Sequence, residues 1–331
     1  MNPIAGRIAI GLLAAVFPSA FLLAQAPPHR SIAITVDDLP AVSSGYMSAQ
    51  DVLTLTAKLV GILHDQKIPA VGFVNEVKLY NTGEVDDRIR ALNLWLENGL
   101  ELGNHTFAHT SLNRVPLQTW QEDVVRGETV TRMLLGQHKM ELRYLRHPFL
   151  DTGRDLQTRR LAEAFLSLRG YKIAPVTMDG WDWMYAGLYD DAKQRGDSAL
   201  QQRLVDSYLE HTTAIFDFYE KASNDLFGYE PPQILLVHCN RLQAEHIGEV
   251  LDLLRKRGYR FVSLEEALSD GVYSSPDEYV GEGTGWIEHW AITRGRHLQN
   301  SPQVPQWVLE SSNKLRQQLA IPPTPSPDWS R

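Results

Sequence analysis

Five short polar clusters hold the side chains with which this chain could do chemistry, and each one follows an apolar run. Asp37 and Asp38 end the run Ile32-Ala33-Ile34-Thr35-Val36. Two adjacent carboxylates repel, so a cation or a proton must relieve them. Taken alone, the pair favours an Asx-type turn with a helix cap. His105 and His109 come next, spaced i and i+4, which puts two imidazoles on one face of a helical turn. Close to an acidic pair, that spacing points to a divalent metal. Arg146-His147-Pro148-Phe149 is third: the guanidinium can pin a carboxylate, and backbone N–H groups after the proline can meet an oxyanion. By itself the cluster reads as a surface arginine before a turn. Asp179-Gly180-Trp181-Asp182-Trp183 sets aromatic rings beside carboxylates, a pairing suited to sugar faces, although tryptophans more often serve the core. His238 ends Leu235-Leu236-Val237 and is either a satisfied core histidine or a general acid or base.

These clusters must be positioned by the elements between them. Apolar runs predict strands at 31–36, 70–74, 100–104, 142–146, 172–178, 233–238 and 259–262. Helical spacing predicts helices at 50–65, 86–97, 117–135, 156–168, 198–221 and 244–257. Strict alternation of strand and helix predicts an α/β fold with parallel strands, and about seven units closes or nearly closes a barrel. Barrel sites gather at the carboxyl ends of the strands, where all five clusters fall.

Composition bounds the rest. The chain has 331 residues and a formal net charge of −8, which leaves no electrostatic footprint for a nucleic-acid partner. Arg7, the uncharged run from Ile8 to Leu23 and Ala24-Gln25-Ala26 form a signal-peptide pattern, residues 1–26, cleaved before Pro27. Export to a bacterial periplasm or the exterior is expected, with no membrane anchor after cleavage. The single cysteine, Cys239, excludes an intramolecular disulfide. The barrel is expected over 27–270, with an added segment at 184–231. Residues 271–331, rich in Gly, Pro, Ser and Trp, are expected to wrap it and to end in a Pro-rich tail. Nothing implies a protein partner.

The five clusters, in order, resemble the polysaccharide deacetylases of carbohydrate esterase family 4, which share the chitooligosaccharide deacetylase homology domain. The motifs T-F-D-D, H-[ST]-x-x-H, R-x-P-[YFW], D-x-x-[DS]-W and L-x-H read here as Thr35–Asp38, His105–His109, Arg146–Phe149, Asp179–Trp183 and Leu236–His238. The resemblance spans about residues 30–265. It implies a distorted (β/α)7-type barrel and a divalent metal, usually Zn2+ with Co2+ or another divalent ion as alternatives, on Asp38, His105 and His109. It further implies Asp37 as general base oriented by Arg146, His238 as general acid partnered by Asp179, the Phe149 N–H as oxyanion donor, and Trp183 and Leu236 around the acetyl group. The implied activity is N-deacetylation of a carbohydrate containing N-acetylglucosamine. An O-acetyl ester on xylan or another glycan, or a small cyclic amide, would use the same machinery. A catalytically idle carbohydrate-binding protein is the contrasting class.

Three departures stand out. Val36 replaces the usual aromatic of the first motif. Leu150 follows Phe149 where many members have glycine, which bears on the groove wall. In the extension, Trp286, His289 and Trp290 either line a cleft or anchor the extension to the barrel, and anchoring is favoured.

Overall fold

The structure is a computed structural model and describes residues 30–319. The expected signal peptide and the Pro-rich tail lie outside these residues.

Among the described residues, eight strands form one curled sheet in which every pairing is parallel. They are β1 (Ser31–Leu39), β2 (Ala70–Val74), β3 (Glu101–Asn104), β4 (Tyr144–Leu145), β5 (Lys172–Ile173), β6 (Met178–Asp179), β7 (Gln233–His238) and β8 (Arg260–Phe261). Their order is β5-β4-β3-β2-β1-β7-β6, with β8 paired to β1, so β5 and β6 face one another across an open seam. Helices cover the outside: α1 (Ala49–Asp65), α2 (Val85–Glu97), α3 (Leu117–Arg126), α4 (Thr129–Gln137), α5 (Leu156–Leu168), α6 (Asp182–Gln194), α7 (Ser198–Phe227) and α8 (Arg241–Lys256). The short α9 (Leu264–Ala267) precedes the extension, which carries α10 (Trp286–Thr293) and α11 (Gln306–Gln318). This is the expected distorted barrel of parallel strand–helix units. None of these helices is long and apolar enough to cross a membrane.

Strand alternation divides the core in two. Ile32, Ile34 and Val36 point outward and join the cluster built with Leu59, Leu63, Trp95 and Leu251 from the helices. Ala33 points inward with Val71, Phe73, Tyr144 and Ile234. The period of two then carries Thr35 and Asp37 to the inner face of β1, and Leu236 and His238 to that of β7. Val36 is fully buried in the outer layer, so losing the aromatic of the first motif is a packing change.

Three expected elements differ. The helix predicted at 117–135 is two helices broken at Gly127-Glu128. A Cβ on Gly127 would sit 2.8 Å from the Phe107 nitrogen and 2.9 Å from the Thr106 carbonyl carbon, so the break lets the histidine loop press against the backbone. The strand predicted at 172–178 is interrupted between Ile173 and Met178. Pro175 has no N–H to give to a ladder, and the Ala174 and Pro175 carbonyls turn inward to accept from the Arg146 guanidinium. The extension, read as aperiodic, contains two helices; Trp286, His289 and Trp290 are buried anchors, as favoured.

Gly127→Ala is expected to lower stability by ~1–3 kcal/mol, the usual cost of forcing atoms into a packed site. Gly136→Ala lies in α4 with open space around the new methyl and should stabilise by up to ~1 kcal/mol. Urea unfolding of both variants checks the sign.

Candidate active site

A β-bulge solves the problem posed by two adjacent carboxylates. Val36 pairs with Gly72 and Leu39 with Val74, so β1 carries one more residue than β2 across this interval. Asp38 takes up the slack at a φ of 72°. Both carboxylates therefore reach one pocket, although strand neighbours otherwise point to opposite faces.

The two histidines sit on a loop, where their spacing alone suggested a helical turn. The loop follows β3 and is held from below. Asn104 Oδ1 accepts from the Thr106 N–H at 2.7 Å, Asn75 Nδ2 donates to the His105 carbonyl at 2.6 Å, and Asp123 accepts from the Ala108 N–H at 3.0 Å. Thr106 and His109 have φ of 60° and 56°. The rings still meet edge to face, 4.7 Å apart.

Strain is concentrated here. Of nine non-glycine residues with positive φ among those described, Asp38, Thr106, His109, Phe149, Leu150 and Trp181 all belong to, or abut, the five clusters. Each such residue costs ~1–3 kcal/mol and persists only where the surroundings over-determine it, a pattern associated with functional sites.

Asp38, His105 and His109 offer ligand atoms that all lie within 4.8 Å of one another. The donor set fits a divalent ion. His105 Nδ1 donates to the Arg146 carbonyl at 2.9 Å, which leaves the Nε2 lone pair for a metal. Burial pushes both imidazoles down to about 3, so each is neutral at pH 7. Burial opposes the charge on Asp38, but the Lys78 ammonium, 2.7 Å from Oδ1, and the two rings outweigh it and hold the carboxyl far below its usual range. Lys78 gave no signal in the sequence, because it lies outside every periodic element.

Asp37 is fully buried beside this set. Arg146 Nη1 lies 3.3 Å from each of its oxygens, while Nη2 donates to Thr35 Oγ1 at 2.9 Å and Nε to the Ala174 carbonyl at 2.8 Å. Burial raises the Asp37 pKa and Arg146 only partly offsets this, which moves the carboxylate toward basicity while keeping it oriented.

His238 corrects one expectation. Its Nδ1 is bonded to Asp182 Oδ1 at 2.8 Å, and Asp182 Oδ2 accepts from the His238 N–H at 3.0 Å, so Asp182 and not Asp179 is the orienting partner. Asn240 Nδ2 donates to the same Oδ2 at 2.7 Å. Asp179 instead accepts from the Trp181 N–H at 2.8 Å, and burial lifts its carboxyl to about 6. Asp182 was within the fourth motif, but its position at the start of α6 is a tertiary fact. Burial favours a neutral His238 ring. Asp182, with Asp38 and Asp37 beyond it, outweighs that and raises the ring to about 10.

One pocket of about 300 Å³ collects Asp37, Asp38, His105, His109, Asp179 and His238 together with Phe149, Trp183 and Leu236. Trp181 and Trp183 stack, with centroids 5.8 Å apart, along one wall. The pocket also takes residues the sequence did not mark: Tyr219 from α7, Arg114, Glu282 to Gly285 and Arg316.

No curated protein sequence gave a significant match. Three of the solved structures similar in fold share 20% identity or less with the chain. A chitin deacetylase from the fungus Colletotrichum lindemuthianum is 20% identical, covers 77% of this chain and 94% of its own, and has a TM-score of 0.49. A family 4 carbohydrate esterase from Streptomyces lividans in complex with acetate is 15% identical over 72% of this chain and 95% of its own, with a TM-score of 0.44. A carbohydrate esterase family 4 pseudoenzyme from Bacillus anthracis is 14% identical over 74% and 67%, with a TM-score of 0.48. Residues 24–165, which carry the aspartate pair, both histidines and Arg146, match the family model described as polysaccharide deacetylase.

Proposed function

We propose that this protein is a metal-dependent hydrolase that removes the acetyl group from an N-acetylated sugar. The observation that carries the reading is the grouping, in one strained pocket, of a metal-competent donor set, a buried carboxylate beside it and a histidine held cationic across from them. A divalent ion on Asp38, His105 and His109 would polarise the acetyl carbonyl and favour deprotonation of water. Asp37, oriented by Arg146, takes the proton as water adds to the carbonyl carbon. Phe149 lines the pocket, and its N–H would share the developing oxyanion charge. His238 then gives its Nε2 proton to the sugar nitrogen as the carbon–nitrogen bond breaks, releasing acetate and an amine. Asp182, bonded to Nδ1, keeps that proton on the outward nitrogen. The Trp181–Trp183 wall supplies an apolar face for a pyranose. The leader pattern at residues 1–26 supports export of the mature chain to where such sugars occur.

Acetate release from N-acetylated chito-oligosaccharides should require zinc or cobalt and vanish with a chelator. The same ion should raise the melting temperature, since it binds the folded state alone. Asp37→Asn should cost ~10²–10⁴-fold in kcat, the range for a lost general base, without lowering metal affinity more than slightly. Equal acetate release by this variant and the parent would overturn the assignment of the base.

The pH profile tests His238. A general acid works only while protonated, so activity should persist through neutral pH and fall as pH rises toward about 10. Asp182→Asn removes the charge that holds the proton, and its alkaline limb should move toward neutrality. The stabilisation from the His238–Asp182 pair should likewise be complete below the ordinary histidine value and be lost as pH rises through 10. An unchanged alkaline limb in Asp182→Asn would remove His238 from the acid role.

A further inference from the structure

Resting on the deacetylase reading above, we propose that the extension makes the site end-on: it accepts a terminal sugar unit, or a free mono- or disaccharide, and refuses interior units of a polymer. An interior unit needs two exits from the pocket, one for each neighbouring sugar. The barrel would provide one of them at the open seam between β5 and β6.

Residues 281–286 close that side. Asn113 Nδ2 donates to the Gly281 carbonyl at 2.5 Å, and the Gly283 N–H donates to Asp151 Oδ1 at 2.9 Å. Beyond them, the Trp286 N–H donates to the Val176 carbonyl at 2.7 Å. The strap thus runs from the loops after β3 and β4 to the segment that enters β6. It is seated without a gap. A Cβ on Gly283 would fall 1.7 Å from the Phe149 carbonyl oxygen and 2.9 Å from the Leu150 carbonyl carbon. No sugar can pass between the strap and that loop. Leu150, which stands where many members have glycine, is one of the residues it covers.

Both ends of the strap are fixed. Asp151 is held by Ser111 Oγ at 2.5 Å and Asn113 Nδ2 at 2.9 Å, and Trp286 and Ile287 are buried under the opposite end. Glu288, in the first turn of α10, accepts from the Tyr219 hydroxyl at 2.5 Å and so sets the wall contributed by α7. The remaining space, about 300 Å³, is at the low end of the ~300–1,000 Å³ of small-molecule pockets.

The test uses the zinc-loaded protein with N-acetylglucosamine, its disaccharide, its pentasaccharide and soluble glycol chitin, with mass spectrometry locating the amine. Binding of the same sugars to Asp37→Asn is measured by calorimetry. End-on entry predicts that the pentasaccharide loses acetyl groups only at a terminal unit. It also predicts that kcat/KM and affinity change by less than ~10-fold from disaccharide to pentasaccharide. Interior deacetylation, or a gain of more than ~10-fold with length, overturns it. If no acetate is released but the short sugars bind as tightly as the long one, the deacetylase reading falls and the end-on pocket stands. If short sugars neither react nor bind while longer ones do either, the end-on pocket falls alone. If none of the four does either, both readings fall.

Discussion

The Arg146 guanidinium is the interaction on which the rest of the site depends. It is fully buried and reaches Asp37 and Thr35 on β1 and the Ala174 and Pro175 carbonyls on the link between β5 and β6. Its carbonyl fixes the His105 tautomer, and its guanidinium lies 4.8 Å from the Phe73 ring centroid. A buried cation without partners would cost several kcal/mol, so this geometry is maintained by the need to satisfy it. One residue thereby couples the orientation of the Asp37 carboxylate, the tautomer of His105 and the inward turn of the backbone that interrupts the strand predicted at 172–178.

Positive and negative charge alternate outward from that centre. Arg146 faces Asp37, Asp38 faces Lys78, and His238 faces Asp182. In a low-dielectric pocket each buried charge is tolerable only when paired, and each pairing moves a proton affinity toward a useful value. The cationic His238 and the oriented Asp37 flank the donor set from different strands. The strained backbone of the histidine loop, at Thr106 and His109, is held by hydrogen bonds from Asn75, Asn104 and Asp123.

The added segments do different work from the barrel. Helix α7 delivers Tyr219, and the extension delivers the strap at 281–286, so the pocket is finished by parts outside the strand–helix repeat. The buried residues of α10 secure the extension against the barrel.

Much of this was determined by the sequence alone. The period of two along β1 and β7 settles which face Thr35, Asp37, Leu236 and His238 share, and apolar runs ended by polar residues mark where parallel strands stop. Strands at 70–74 and 233–238 and the helix at 156–168 have the bounds expected, because their burial pattern is dense and their ends carry clear breakers. What tertiary structure decided has no local signal. The partner of His238 is Asp182 because α6 starts there beneath β7. The histidine pair rides a loop because Gly127 opens room for it. The strap lies across the seam because two glycines and a buried tryptophan let it touch backbone on both sides. Each depends on contacts between residues tens of positions apart, and a one-dimensional pattern encodes spacing but not which distant surface a side chain will meet.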